Sequence, residues 1–260
     1  EGEEERVLRA AQIVLDEGLA QPILIGRPSV IQQRIERFGL RLTEGVDYQV
    51  VNVENDHRYR DFWQTYHRMT ERKGVTQQLA KIDMRRRLTL IGCMMVHKGE
   101  ADGLICGTWS TPDAHLHYVD QVIGLRPGVS TYACMNALLL PERQVFLVDT
   151  HINYDPSAEQ LAEITIMAAE EMKRFGVEPK AALLSHSNFG SSNHPTALKM
   201  RRTLALVQAQ APWLEIDGEM HGDVAIDTPA RLSLMPHSTL HANANLLVFP
   251  NLDAANITYN

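Results

Sequence analysis

The 260-residue sequence lacks the features that mark several large classes of protein. No stretch reaches the roughly 20 apolar residues of a membrane span, and no secretory leader is recognisable, so no membrane partner is expected. There is no long run of charge: 25 Lys and Arg stand against 32 Asp and Glu, a net charge of −7. Nucleic-acid binders draw affinity from counterion release and carry a basic stripe, so no nucleic-acid partner is expected either. The one basic cluster, Arg85-Arg86-Arg87, reads as a solvated helix face. Cysteine is scarce. Cys93, Cys106 and Cys134 lie in apolar runs without metal spacing, which predicts buried free thiols in a reducing, cytoplasmic compartment. HExxH and CxxC are absent, and the pairs His115/His117 and His237/His241 each offer two ligands where zinc or iron sites need three or four, so no metal site is expected. Internal repeats and low-complexity tracts are missing as well. Glu1 in place of an initiating Met is the start expected of a piece of something longer.

What is present is an alternation of helix and strand patterns, with 44% hydrophobic residues to fill one large core or two smaller ones. Residues 3–17 predict a helix with acids in its first turn, which complement the partial positive charge there, and Gly18 as its stop. Short strand patterns follow at 22–26 and 48–53, with a helix over 29–38 between them. Residues 58–99 read as mostly helical, with Met94 and Met95 as core filling, and 101–106 (ADGLIC) as a buried strand. The second half repeats the alternation: strands at 145–149, 181–185, 214–217 and 246–249, and a long helix over 157–175. Ser157 and Gln160 have capping-box spacing, Gly176 closes the end, and Leu161, Ile164, Ala168, Met172 and Phe175 mark one apolar face. Brief apolar strands separated by helices imply an α/β fold with mainly parallel, doubly covered sheets. Pro and Gly in GLRPGVS (124–130) interrupt both patterns and suggest a domain boundary.

Ligands of α/β sheets sit at the carboxyl ends of strands. Two loops fit. GTWSTPD (107–113) sets Thr108, Ser110 and Thr111 ahead of a helix pattern. SHSNFGSSNHP (185–195) joins small polar residues and Gly190 to Pro195, a residue suited to the first helical position. Backbone N–H groups at such a helix start favour anions, although a capped turn without a ligand explains either loop equally well. Asp217-Gly218-Glu219 offers two acids near a strand end, as catalytic carboxylates or, more simply, as solvated acids on a turn.

Four segments extend the reading. ADGLICGTWSTPDAHLHYVDQVIG resembles the ADGLVSGAxHTTADTxRPALQII of phosphate acetyltransferases, and LLSHSNFGSSNHP resembles their LLSFSTKGSGKGP. DGEMHGDVAI followed by NANLLVFPNLDAANITYN is similar to their DGELQFDAAI and KANVLIFPDLEAGNIGYK, and RKGVT, with Lys73 and Gly74, to RKGMT. The resemblance covers nearly the whole chain. It implies two α/β lobes enclosing a cleft for coenzyme A and acetyl phosphate, divided here as 1–126 and 127–260, with a C-terminal return segment beyond Asn260. By motif position Ser187, Asn188, Gly190 and Ser191 are expected to cradle the ligand. Thr108, Ser110, Thr111 and His117 would line the opposing wall, Asn256 would close the site near the thioester, and Lys73 would add charge at the rim.

Two departures alter the functional expectation. His117 stands where the family has an arginine, and a mostly neutral imidazole cannot replace a bidentate guanidinium. Phe189 stands where the family has a lysine. Losing two cations from a site that stabilises a transferring phosphate should cost several kcal/mol, on the order of 3 or more, in the transition state. RRRLTLIGCMMVHKGEADGLICG and HANANLLVFPNLDAANITYN are also similar to the phosphotransacetylase-like domain of bacterial NADP-dependent malic enzymes. That likeness implies a regulatory domain without catalytic residues of its own, binding acetyl-CoA as an inhibitor. A malic enzyme domain would lie in cis, holding NADP and Mg or Mn, and a homo-oligomer would form through this domain. An active phosphate acetyltransferase and a pure assembly module remain the alternatives.

Overall fold

Two of the short apolar runs form β1 (Ile23–Gly26) and β2 (Gln49–Asn52), parallel, with Ile23 opposite Gln49 and Gly26 opposite Asn52. They belong to the first of two units, Glu1–Gly124 and Leu125–Asn260, in a computed structural model that describes residues 1–260. Side-chain alternation splits the small sheet between two cores. Leu24 joins Leu8 of α1 (Glu5–Asp16) and Ile31 and Ile35 of α2 (Pro28–Arg37). Ile25 and Val51 face Phe62 and Tyr66 of α3 (Tyr59–Thr70), Met84 of α4 (Gln77–Arg86) and Leu90 and Met94 of α5 (Leu88–His97). α6 (Pro112–Val122) completes the unit.

The second unit carries a five-stranded sheet in the order β3-β4-β7-β5-β6. β4 (Arg143–Val148), β7 (Leu246–Val248), β5 (Lys180–Leu184) and β6 (Glu215–Met220) run parallel, so their carboxyl ends share one edge. β3 (Met135–Leu140) is antiparallel to β4 at the margin. One face, with Phe146, Val148, Ala181, Leu183 and Ile216, packs on α7 (Ala158–Arg174) and α8 (Pro195–Gln210). The other, with Val145, Leu147, Ala182 and Leu184, meets Val224 of α9 (Gly222–Ala225), Leu240 and Ala255 of α11 (Leu252–Tyr259). α10 (Thr228–Leu234) follows α9. No helix is long and apolar enough to cross a membrane.

Three expectations are corrected. Residues 101–106 form no strand. Asp102 and Gly103 favour a bend, Ile105 is fully exposed, and the segment is anchored by Leu104 against α5. A Cβ on Gly92 would lie 2.5 Å from Leu104 Cδ1, so the approach requires glycine there. Phe175 leaves the apolar face of α7: it is the C-cap residue and points to solvent, while Leu161, Ile164, Ala168 and Met172 are buried. The cysteines also divide, with Cys93 buried, Cys134 half-buried and Cys106 exposed. Burial pushes the Cys93 thiol up to about 11, leaving little thiolate at neutral pH. A thiol reagent is therefore expected to label Cys106 in the native protein and Cys93 only after unfolding. Mass mapping of the first adduct to Cys93 would contradict this packing.

Candidate functional site

The shared edge of parallel strands in the second unit gathers four loops. β5 leads into Ser185–His194, and Pro195 opens α8 behind it, with the His194 side chain accepting from Thr196 N. This loop is wired from beneath by a carboxylate. Ser187, fully buried, donates from Oγ to Glu219 Oε1 at 2.6 Å, and Gly190 N donates to the same oxygen at 3.0 Å. Phe189 N reaches Glu219 O at 2.8 Å, and Ser192 N reaches Ser187 Oγ at 3.0 Å. Arg201 of α8 stands with Nε 3.5 Å from Glu219 Oε2, and its guanidinium also holds Ser192 O and Asn193 Oδ1. Phe189 and Gly190 take φ of 46° and 90° in succession, a left-handed turn that glycine accepts freely and phenylalanine does not.

Asp217-Gly218-Glu219 is accordingly no solvated turn. It lies within β6, and both acids are buried. Asp217 accepts from Ser238 Oγ at 2.6 Å and Thr239 N at 2.8 Å. Gly218, at φ 149°, lets β6 press on β5: a Cβ there would meet Leu183 O at 2.8 Å. The ladder with β5 makes burial tolerable because each carboxylate finds donors on a neighbouring segment.

Of the expected ligand contacts, Ser187 is therefore committed inward, as is the N–H of Gly190. Asn188 is half-buried, its Oδ1 accepting from His221 N at 2.8 Å, and Ser191 is exposed with Oγ accepting from Asn188 N at 3.0 Å. After β4, Asp149 accepts from the N–H groups of Cys134, His151, Ile152 and Asn153, which fixes a tight turn. Asn256 of α11 reaches that turn, donating from Nδ2 to Thr150 O at 3.1 Å. Phe189, half-buried, packs against the core on the α11 side of the sheet.

In the first unit Thr108, Ser110 and Thr111 share one loop. Gly107 N, Thr108 N and Thr108 Oγ1 converge on Glu1 Oε2 at 3.1, 2.8 and 2.5 Å. Partial burial raises the Glu1 pKa, but these hydrogen bonds outweigh it and hold the carboxyl below its ordinary value. The loop thus has an anion-binding concavity, filled by the chain's own carboxylate. Thr111 caps α6, accepting from Ala114 N. His115 ties Thr89 Oγ1 (2.7 Å) to Trp109 O (2.5 Å), so its ring braces the loop. His117 is exposed and meets Tyr118 edge-on. Lys73 lies on an exposed turn between α3 and α4. No group of three or more His, Cys, Asp or Glu side chains is placed to hold a metal. Glu1, Arg201 and the framing role of Glu219 were not read from the sequence. Their contacts span 107, 18 and 32 positions, which no local pattern reports.

The model described as phosphate acetyl/butaryl transferase matches residues 1–260. The chain is 54% identical over 260 residues to the NADP-dependent malic enzyme of Salmonella typhimurium, covering all of this chain and 34% of that protein. It is 34% identical over 259 residues to the phosphate acetyltransferase of Nitratidesulfovibrio vulgaris, covering 100% of this chain and 36% of that one. The chain thus spans about a third of the length of these curated relatives. A phosphotransacetylase structure from Streptococcus pyogenes superposes with a TM-score of 0.88 at 30% identity, over 99% of this chain and 78% of that one.

Proposed function

The chain belongs to the phosphate acetyl/butaryl transferase family, and on that premise we propose that it is the regulatory domain of an NADP-dependent malic enzyme, binding acetyl-CoA as an inhibitor and transferring no acetyl group itself. The observation that carries this reading is the β5–α8 loop, which keeps its frame while Phe189 occupies the position of the family's lysine and turns into the core. A phosphoryl-stabilising cation is missing there, and His117 offers no guanidinium in the first unit. The higher identity to malic enzymes than to transferases supports the same reading. In the second unit the exposed or half-buried Asn188, Ser191 and Asn256 are the residues left to contact a ligand. NADP and Mg or Mn belong to a malic enzyme domain in cis, in a cytoplasmic homo-oligomer.

Acetyl-CoA acts on the distant site only if it binds one state of the whole protein better than the other, and ~1–3 kcal/mol of such coupling changes affinity about 5–150-fold. The test is calorimetric titration of the full-length protein with acetyl-CoA beside two assays, malate oxidation and acetyl transfer from acetyl phosphate. Binding with inhibition of malate oxidation and no transfer is the expected result. Transfer at ordinary enzyme rates would instead establish a working acetyltransferase, the second reading, which the intact loop frame favours. No binding at all would leave an assembly module.

A further inference from the structure

The first unit contains a cavity of about 590 Å³ at the carboxyl ends of β1 and β2, beside the Trp109–Ser110 turn. Its size suits a nucleotide-sized ligand. Four arginines line it: Arg27, Arg34, Arg86 and Arg87. Three glutamates line it too, and each is engaged. Glu3 accepts a two-pronged ion pair from Arg27, Glu4 caps α1 and pairs with Arg6, and Glu1 is held by Gly107 and Thr108. Arg27 and Arg34 are tied to Glu3, whereas Arg86 and Arg87 are less fully engaged. Arg34 is hydrogen-bonded to the Glu3 carbonyl, and its charge also acts on the Glu3 carboxylate that Arg27 holds. Arg87 pairs loosely with Asp83, at 3.8 Å, and lies within reach of the Tyr118 hydroxyl. Arg86 makes no hydrogen bond or ion pair and is exposed. The basic triplet read from sequence as a solvated face thus sends two of its members to a cavity wall, while Arg85 stacks on Tyr59.

The lining also has an aromatic and polar part. Trp109 is 64% exposed although it lines the cavity. Ser110, beside it, has φ 76°, a conformation a serine rarely adopts without compensation. The compensation is His115, whose ring spans Thr89 and Trp109 O and fixes the turn that presents the indole. Guanidinium groups and an exposed indole lining one cavity suit a phosphorylated ring system, through charge-assisted hydrogen bonds and stacking.

We propose that this cavity is a phosphonucleotide subsite, in which Arg86 and Arg87 bind phosphate and Trp109 stacks the base of the 3′-phosphorylated adenine nucleotide that ends a coenzyme A ester. The inference rests on the acetyl-CoA reading above and adds the residues that would select for the nucleotide end. The fragment adenosine 3′,5′-bisphosphate carries that end without thioester or pantetheine and is the probe. Full-length protein, the double variant Arg86→Ala/Arg87→Ala and Trp109→Ala are titrated with the bisphosphate, ADP and acetyl-CoA. Both arginines are exposed, so the double variant should fold, and unchanged circular dichroism checks this.

Bisphosphate and acetyl-CoA are each expected to bind the arginine variant at least about tenfold more weakly, and Trp109→Ala about fivefold more weakly. ADP should bind more weakly than the bisphosphate, for want of the 3′-phosphate. Acetyl-CoA binding that is unchanged in both variants overturns the subsite and leaves the acetyl-CoA reading standing. ADP binding as tightly as the bisphosphate overturns it too, making the cavity a general nucleotide site. Bisphosphate binding without acetyl-CoA binding overturns the acetyl-CoA reading, and with it the assignment to a coenzyme A ester.

Discussion

Arg231→Ala is expected to lower the stability of the second unit by roughly 3–5 kcal/mol. None of the Arg231 side chain reaches solvent. Its Nη1 donates to Val224 O (3.2 Å) and Ala225 O (3.1 Å), and its Nη2 to Leu240 O (3.0 Å) and Ala242 O (2.6 Å). One guanidinium therefore closes the carbonyls of α9 against the 240–242 segment. Burial lowers its pKa, with Asp217, Glu215 and Asp227 acting in the opposite sense. Alanine would leave those acceptors without donors and a void in their midst. Arg231→Lys keeps the charge, but a single ammonium cannot span both sets of carbonyls, so it should restore less than half of the loss. Urea unfolding followed by Trp213 fluorescence, with Trp63 and Trp109 changed to Phe, reads this unit alone. A loss under about 1 kcal/mol for alanine would show that water replaces the guanidinium without penalty.

Glu219→Ala should be nearly as damaging, about 3–5 kcal/mol, with its effect centred on the β5–α8 loop. The variant leaves Ser187 Oγ and Gly190 N without their acceptor and Arg201 without its partner. Glu219→Gln keeps an oxygen for Ser187 and Gly190 and loses the attraction to Arg201, so it should retain most of the stability. Hydrogen exchange separates the two: Gly190 and Ser192 amides should lose protection in the alanine variant and largely keep it in the glutamine one. Equal protection in wild type and Glu219→Ala would mean that the loop is framed by something other than this carboxylate. Acetyl-CoA affinity should follow the same order as amide protection.

The elements legible in the sequence were those whose signals are local. α7 announces itself by the Ser157–Gln160 box, which forms as a reciprocal pair, and by Gly176 beyond its end. β5 and β7 are apolar runs too short for helices, bounded by polar turns. β3 was missed because Met-Asn-Ala-Leu-Leu-Leu has little β preference of its own, and pairing with β4 overrides that. Residues 101–106 fail in the opposite sense, an apolar run that finds no ladder. Motif order located both loops, since a loop's composition is written in consecutive residues. What motif order could not give is their internal wiring. Nothing local distinguishes a Glu219 that frames a loop from one that faces water, and nothing near Arg86 says that a cavity lies beside it.

In the β5–α8 loop, the hydrogen-bonding groups that fix the path of the chain are at positions 187, 191, 192, 201 and 219, whereas residue 189 contributes its backbone N–H and apolar packing but no polar side-chain group. Form and reactivity are therefore written in different codons. A lineage can exchange the side chain at the tip while the fold beneath is inherited unaltered, so that turnover and sensing become two dialects of one architecture.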